Sequence, residues 1–129
     1  MKPEKILFID IETAPQNQSY NQLNEEMAGL WSEKYEQIKK RTPEKFNNES
    51  NPANSYSNTG LFSEFGKIIC ISVGFEYYIH NERYFKVKSF YGDDEKVILT
   101  ELKDLLLRIE NNGYRLCGHN IKEFDIPYI

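Results

Sequence analysis

The chain has 129 residues and 15.2 kDa, room for one core and little for a second. With 40% hydrophobic and 14% aromatic residues it should be globular, and no apolar run approaches the ~20 residues of a membrane-spanning helix. Sixteen Lys and Arg against 20 Asp and Glu leave a net charge of −4, which argues against holding nucleic acid by bulk charge and requires a local site or a cation for any polyanion.

Ile6-Leu7-Phe8-Ile9-Asp10-Ile11 is a short, nearly continuous apolar run, the pattern of a central strand covered on both faces. Lys2 and Lys5 precede only four apolar residues before Asp10 and Glu12 interrupt. That pattern forms no secretory leader, so a cytoplasmic location is expected. Residues 13 to 66 change character and read as an insertion. Leu23, Met27, Leu30, Trp31, Tyr35 and Ile38 recur there at helical spacing, predicting an amphipathic helix from about Tyr20 to Lys40. Thr42 to Gly60, rich in Asn, Pro and Ser, reads as an exposed loop.

Lys67 to Tyr78 and Tyr84 to Tyr91 have strand composition, and His80-Asn81-Glu82-Arg83 between them predicts a β-hairpin. Asp93 or Asp94 can cap a helix whose Ile98, Leu102, Leu105, Leu106 and Ile109 share one face, with Asn112-Gly113 as its stop. Tyr114 to Gly118 is a short strand. Asn120-Ile121-Lys122-Glu123 then has the form of a capping box, with a helix start near Asp125 and Pro127 as the alternative. A helix between two strands normally returns the second one parallel, so the last strand can lie beside the first. The fold class is therefore α/β, a mixed sheet with helices.

Asp10 requires a cause, because a carboxylate inside a buried strand costs several kcal/mol unless its charge is compensated. Glu12 projects from the same strand face, so the two acids converge. An Arg or Lys partner, a raised pKa or a divalent cation would relieve them, and a cation with oxygen ligands suits the pair best. The spacing alone proves little. Five Asp and 15 Glu give an Asp-x-Glu match by chance about 0.6 times, so context decides. Asp125, after the strand expected beside the first, is a third acid at the carboxyl end of the sheet, where sites assemble in open α/β folds.

FIDIET (Phe8 to Thr13) and GHNIKEFDIPYI (Gly118 to Ile129) resemble the first and second motifs of the 3′-to-5′ exonucleases of the DEDD, ribonuclease-H-like superfamily. FGKIICISVG (Phe65 to Gly74) is similar to the group related to the proofreading domain of family B DNA polymerases. The resemblance covers about 28 residues, in the family's order. It implies a ribonuclease-H-like sheet of three antiparallel strands and one parallel strand, with Asp10 and Glu12 as first-motif metal ligands and catalytic acids. Asp125 would be the second-motif acid and Thr13 a substrate neighbour, and Asn120 is a further candidate for contacting the nucleotide. Two Mg²⁺ or Mn²⁺ ions, single-stranded DNA ends as substrate with RNA left open, and nucleoside monophosphate products follow from the same resemblance.

The family also needs a third motif, a Tyr or His followed by a final Asp, which residues 1 to 129 do not carry. The resemblance therefore implies the amino-terminal part of one exonuclease domain, incomplete at its carboxyl end and poorly active alone. A non-catalytic ribonuclease-H-like module that binds nucleic acid or a partner is the alternative, and an endonuclease with the same acids is a third.

Other residues have plainer readings. His119 and His80 are expected as turn residues, and Asn120 as a helix cap. Trp31 is expected to pack within the inserted helix, although Trp31, Tyr35 and Tyr56 could each stack on a base. Lys34, Lys39, Lys40 and Arg41 read as a solvated helix face. Cys70 and Cys117 have neither zinc-site nor disulfide spacing and are expected as buried free thiols.

Overall fold

The computed structural model describes residues 4–129. Lys2, weighed above as part of a leader, lies outside them. Two compact units divide the described residues: residues 4–13 with 68–129, and residues 14–67. Each has its own apolar cluster, so the expectation of a single core is corrected. The second cluster forms because residues 14–67 supply enough large aromatic rings to enclose one another.

The first unit holds a four-stranded mixed sheet, three strands antiparallel and one parallel. Its strands are β1 (Ile6–Pro15), β2 (Gly66–Ile79), β3 (Glu82–Tyr91) and β4 (Arg115–Cys117), in the order β3-β2-β1-β4. Between β3 and β4 runs helix α2 (Glu95–Ile109), and a short helix α3 (Asp125–Tyr128) follows β4. As the helical crossover predicts, β4 pairs parallel with β1, Leu7 opposite Leu116 and Phe8 opposite Cys117.

In β1, Leu7, Ile9 and Ile11 are buried while Phe8, Asp10 and Glu12 are exposed. This alternation is that of a strand with one face open. The expectation of a strand covered on both faces is therefore corrected: α2 covers one side, and apolar Phe8 on the other side mimicked a continuous run. Ile98 and Leu102 of α2 pack with Leu7, Ile9, Ile11, Ile71, Val73 and Phe90. The Asp94 side chain accepts from the Lys96 and Val97 N–H groups at 3.0 and 3.4 Å, capping α2. Gly113 ends the helix region in the left-handed conformation, φ 73°.

The β2–β3 hairpin pairs ten residues with ten, from Cys70 opposite Tyr91 to Ile79 opposite Glu82. Its turn is only His80-Asn81, at φ 50° and 66°. Two positive φ values are those of a two-residue turn whose twist matches the strands. Cys70 is half-buried and Cys117 exposed, both free, so the reading of two buried thiols fails at Cys117, which sits on the open face.

In the second unit, helix α1 (Glu25–Arg41) starts later than the periodicity suggested, because Asn24 accepts from the Met27 N–H at 2.8 Å and Tyr20–Gln22 form a separate 3₁₀ turn. Trp31 and Tyr35 of α1 are buried with Tyr56 and Phe65, so Trp31, Tyr35 and Tyr56 are packed inside and not presented for stacking on bases. Thr42 to Gly60 is not an open loop throughout. Its later part forms a 3₁₀ segment, Tyr56–Leu61, with Tyr56, Thr59 and Gly60 buried. The Trp31 indole N–H donates to the Pro52 carbonyl at 2.8 Å, which holds the loop before that segment to the helix.

Candidate active site at the carboxyl ends of the parallel strands

Asp10 and Glu12 extend from the open face of β1, past the point where β4 ends opposite Phe8. Both are exposed and neither forms an ion pair among the described residues. Solvation therefore carries much of the charge that a buried strand would have left unpaid. The cost argument for Asp10 is corrected to that extent. Their shared face stands as the alternation of side chains requires.

Asp125 is different. It is 2% exposed, and its Oδ2 accepts a hydrogen bond from the backbone N–H of Ile11 at 3.0 Å. Ile11 lies between Asp10 and Glu12, so this one bond fastens the third acid onto the strand that carries the other two across 114 positions of sequence. A hydrogen bond from a buried N–H offsets part of the cost of burying this carboxyl group.

The segment leading to Asp125 is shaped by two residues. Gly118 follows β4, and a Cβ there would collide with the Ile9 carbonyl and the Ile121 side chain. Only glycine lets the chain pass this close to β1. Asn120 adopts φ 53°, and its carbonyl accepts from the Glu123 and Phe124 N–H groups at 3.2 and 3.0 Å. Asn tolerates this left-handed conformation better than most residues. Of the two helix starts weighed, the one at Asp125 holds and the capping box does not: Asn120 forms a turn, and α3 starts at Asp125 with no side-chain cap. Thr13 is half-buried just beyond Glu12.

Beside Asp10 lies a shallow cleft of about 320 Å³ whose walls include Phe8, Asp10, Gly74, Phe85, Gly118 and His119. Phe8 and Phe85 meet with ring centroids 5.5 Å apart, and Gly74 leaves the space that the Phe85 ring occupies. His119, read from sequence as a turn residue, is exposed in this cleft with Asp10. Its position one residue after the Gly that ends a parallel strand was the available signal. The cleft's apolar floor was not legible, because it rests on the register of the hairpin, which sets Phe85 over Gly74, and the four-residue polar stretch suggested a longer turn.

The donor set of Asp10, Glu12 and Asp125 is all carboxylate oxygen, which suits a hard cation such as Mg²⁺ or Mn²⁺. Among the described residues, no three His, Cys, Asp or Glu side chains are gathered closely enough to hold an ion between them. No described helix is long and apolar enough to cross a membrane. The chain matches no protein-family model, no curated protein and no solved structure at a significant level.

Proposed function

We propose that this chain carries the first two acid motifs of a ribonuclease-H-like, metal-dependent 3′-to-5′ exonuclease that acts on single-stranded DNA ends and releases nucleoside monophosphates. The observation that carries the reading is the Asp125 to Ile11 hydrogen bond. It joins the two segments whose motifs prompted the resemblance, at the residue between the first-motif acids. Asp10 and Glu12 would hold the cation, with Asp125 beside them. Mg²⁺ or Mn²⁺ bound there would lower the pKa of a water and stabilise the leaving 3′-oxygen. Asp125, gripped by a backbone N–H, keeps a fixed position, whereas exposed Asp10 and Glu12 can adjust to an ion and a phosphate. The cleft at Phe8 and His119 would receive the terminal nucleotide next to these acids.

The test is hydrolysis by the full-length protein of a 5′-labelled single strand with Mg²⁺ or Mn²⁺. Stepwise shortening from the 3′ end is expected. Asp10→Asn should lower the rate by at least about 10²-fold, the scale of losing one essential charge-stabilising group, with an unchanged circular dichroism spectrum. Binding without shortening would assign the non-catalytic module instead, and internal cleavage of a 3′-blocked strand would assign an endonuclease.

A further inference from the structure

The opposite face of the hairpin, on the α2 side of the sheet, carries a second feature. Beside α2 a cavity of about 370 Å³ is floored by Val73, Phe75 and Phe90 and bordered by Lys86, Lys88 and Arg108. Its volume is in the range of ligand sites. The three cations come from two elements, β3 and α2, and none forms an ion pair among the described residues. No acid lines the cavity. Three positive side chains without an ion-pair partner among the described residues line this cavity, Lys88 over the Phe90 ring at 5.1 Å and Arg108 donating to the Asp104 carbonyl at 3.3 Å, on a protein of net charge −4, so the concentration of charge is local.

Aromatic rings extend the floor along the same hairpin face. Phe75 lies 6.0 Å from Tyr77 between ring centroids, and Tyr77 stacks on Tyr84 at 5.5 Å and 21°. Tyr77 and Tyr84 are directly opposite across the hairpin, as are Phe75 and Lys86. Residues two apart share a face, so Phe75 and Tyr77 of β2 and Tyr84, Lys86 and Lys88 of β3 form one continuous strip. Tyr84 donates to Glu82 at 2.9 Å, which pushes its pKa above the usual phenol value. Glu82, at the turn end of the strip, is the acid on this face, farthest from Lys86 and Lys88.

We propose that this strip is a binding surface for single-stranded nucleic acid, separate from the acids on the other face. Phosphates would lie on Lys86, Lys88 and Arg108, and bases on the row Phe75, Tyr77 and Tyr84. A row of rings continuing into a row of cations on an open strand face serves a flexible strand with exposed π-faces, where a duplex hides its bases. Edge-strand lysines can also act only to deter pairing with other chains. That role would not bring Arg108 of α2 to the same cavity or continue into stacked rings. The surface uses none of Asp10, Glu12 or Asp125, so it stands or falls without hydrolysis.

The test is fluorescence anisotropy of the chain with a labelled oligothymidylate in EDTA at low ionic strength, which removes divalent cations and any cleavage. Lys86→Gln/Lys88→Gln/Arg108→Gln should weaken binding at least about tenfold and lower the slope of log affinity against log salt by roughly 0.7 per cation removed. Tyr77→Ser/Tyr84→Ser should weaken binding with little change of slope, because stacking carries no counterion release. Circular dichroism and melting of every variant check the fold, and the exposed lysine changes alone serve if the triple variant melts early. The proposal is overturned by undiminished binding in the triple variant, by an equal loss in a Lys39→Gln/Lys40→Gln control, by equal affinity for duplex, or by equal competition from an acidic peptide.

Discussion

Asp125 and Gly118 show how single residues place the candidate site. Asp125 serves as a structural acceptor for the Ile11 N–H as well as a candidate ligand, and the two roles separate by substitution. Asp125→Ala leaves a buried N–H without a partner and should cost about 1–3 kcal/mol in urea unfolding. Asp125→Asn keeps a carbonyl acceptor and should cost less than half as much while abolishing hydrolysis by the full-length protein. Equal destabilisation by both changes would show that charge, not the hydrogen bond, holds this residue. Gly118 was quoted from sequence only as part of a motif. Its necessity lies in the Ile9 carbonyl, a neighbour more than a hundred positions away.

Elements form here by local rules that are mostly visible in the chain. Asp94 caps α2 and Gly113 ends its helical region because a short acceptor side chain and a residue free to adopt positive φ suit those places. The hairpin was legible from its strand composition, but its turn is two residues shorter than the polar stretch suggested. Glu82 and Arg83 belong to β3, where Arg83 pairs with Glu76 at 2.6 Å. At Asn81, φ 66°, an alanine must hold a left-handed conformation that costs roughly 1–2 kcal/mol. Asn81→Ala should therefore lower the urea midpoint of the first unit, and Asn81→Gly should not. The capping box at Asn120 failed as a reading because Asn is equally suited to a left-handed turn, and only the path of the chain past β1 chose between them.

At the scale of the molecule, 129 residues form two apolar clusters instead of one. Trp31 is the largest buried side chain of the second, 1% exposed, with ring contacts to Tyr56, Phe62 and Phe65. Trp31→Ala should cost about 3–5 kcal/mol and expose the amides of residues 14–67 to hydrogen exchange while those of the β2–β3 ladder stay protected. Loss of protection in both regions together would mean that the clusters unfold as one.

Composition, periodicity and turn chemistry sufficed for the strand and helix order, the parallel return of β4, the packing role of Trp31 and the shared face of Asp10 and Glu12, since each depends on neighbours within a turn or a strand. Which face of β1 is covered, the grip of Asp125 on Ile11, the close passage at Gly118 and the cationic strip beside α2 were decided by the tertiary structure alone. Each is a relation between groups distant in sequence, and hydrogen-bond geometry, burial and the meeting of charges are properties of such pairs, not of either residue by itself.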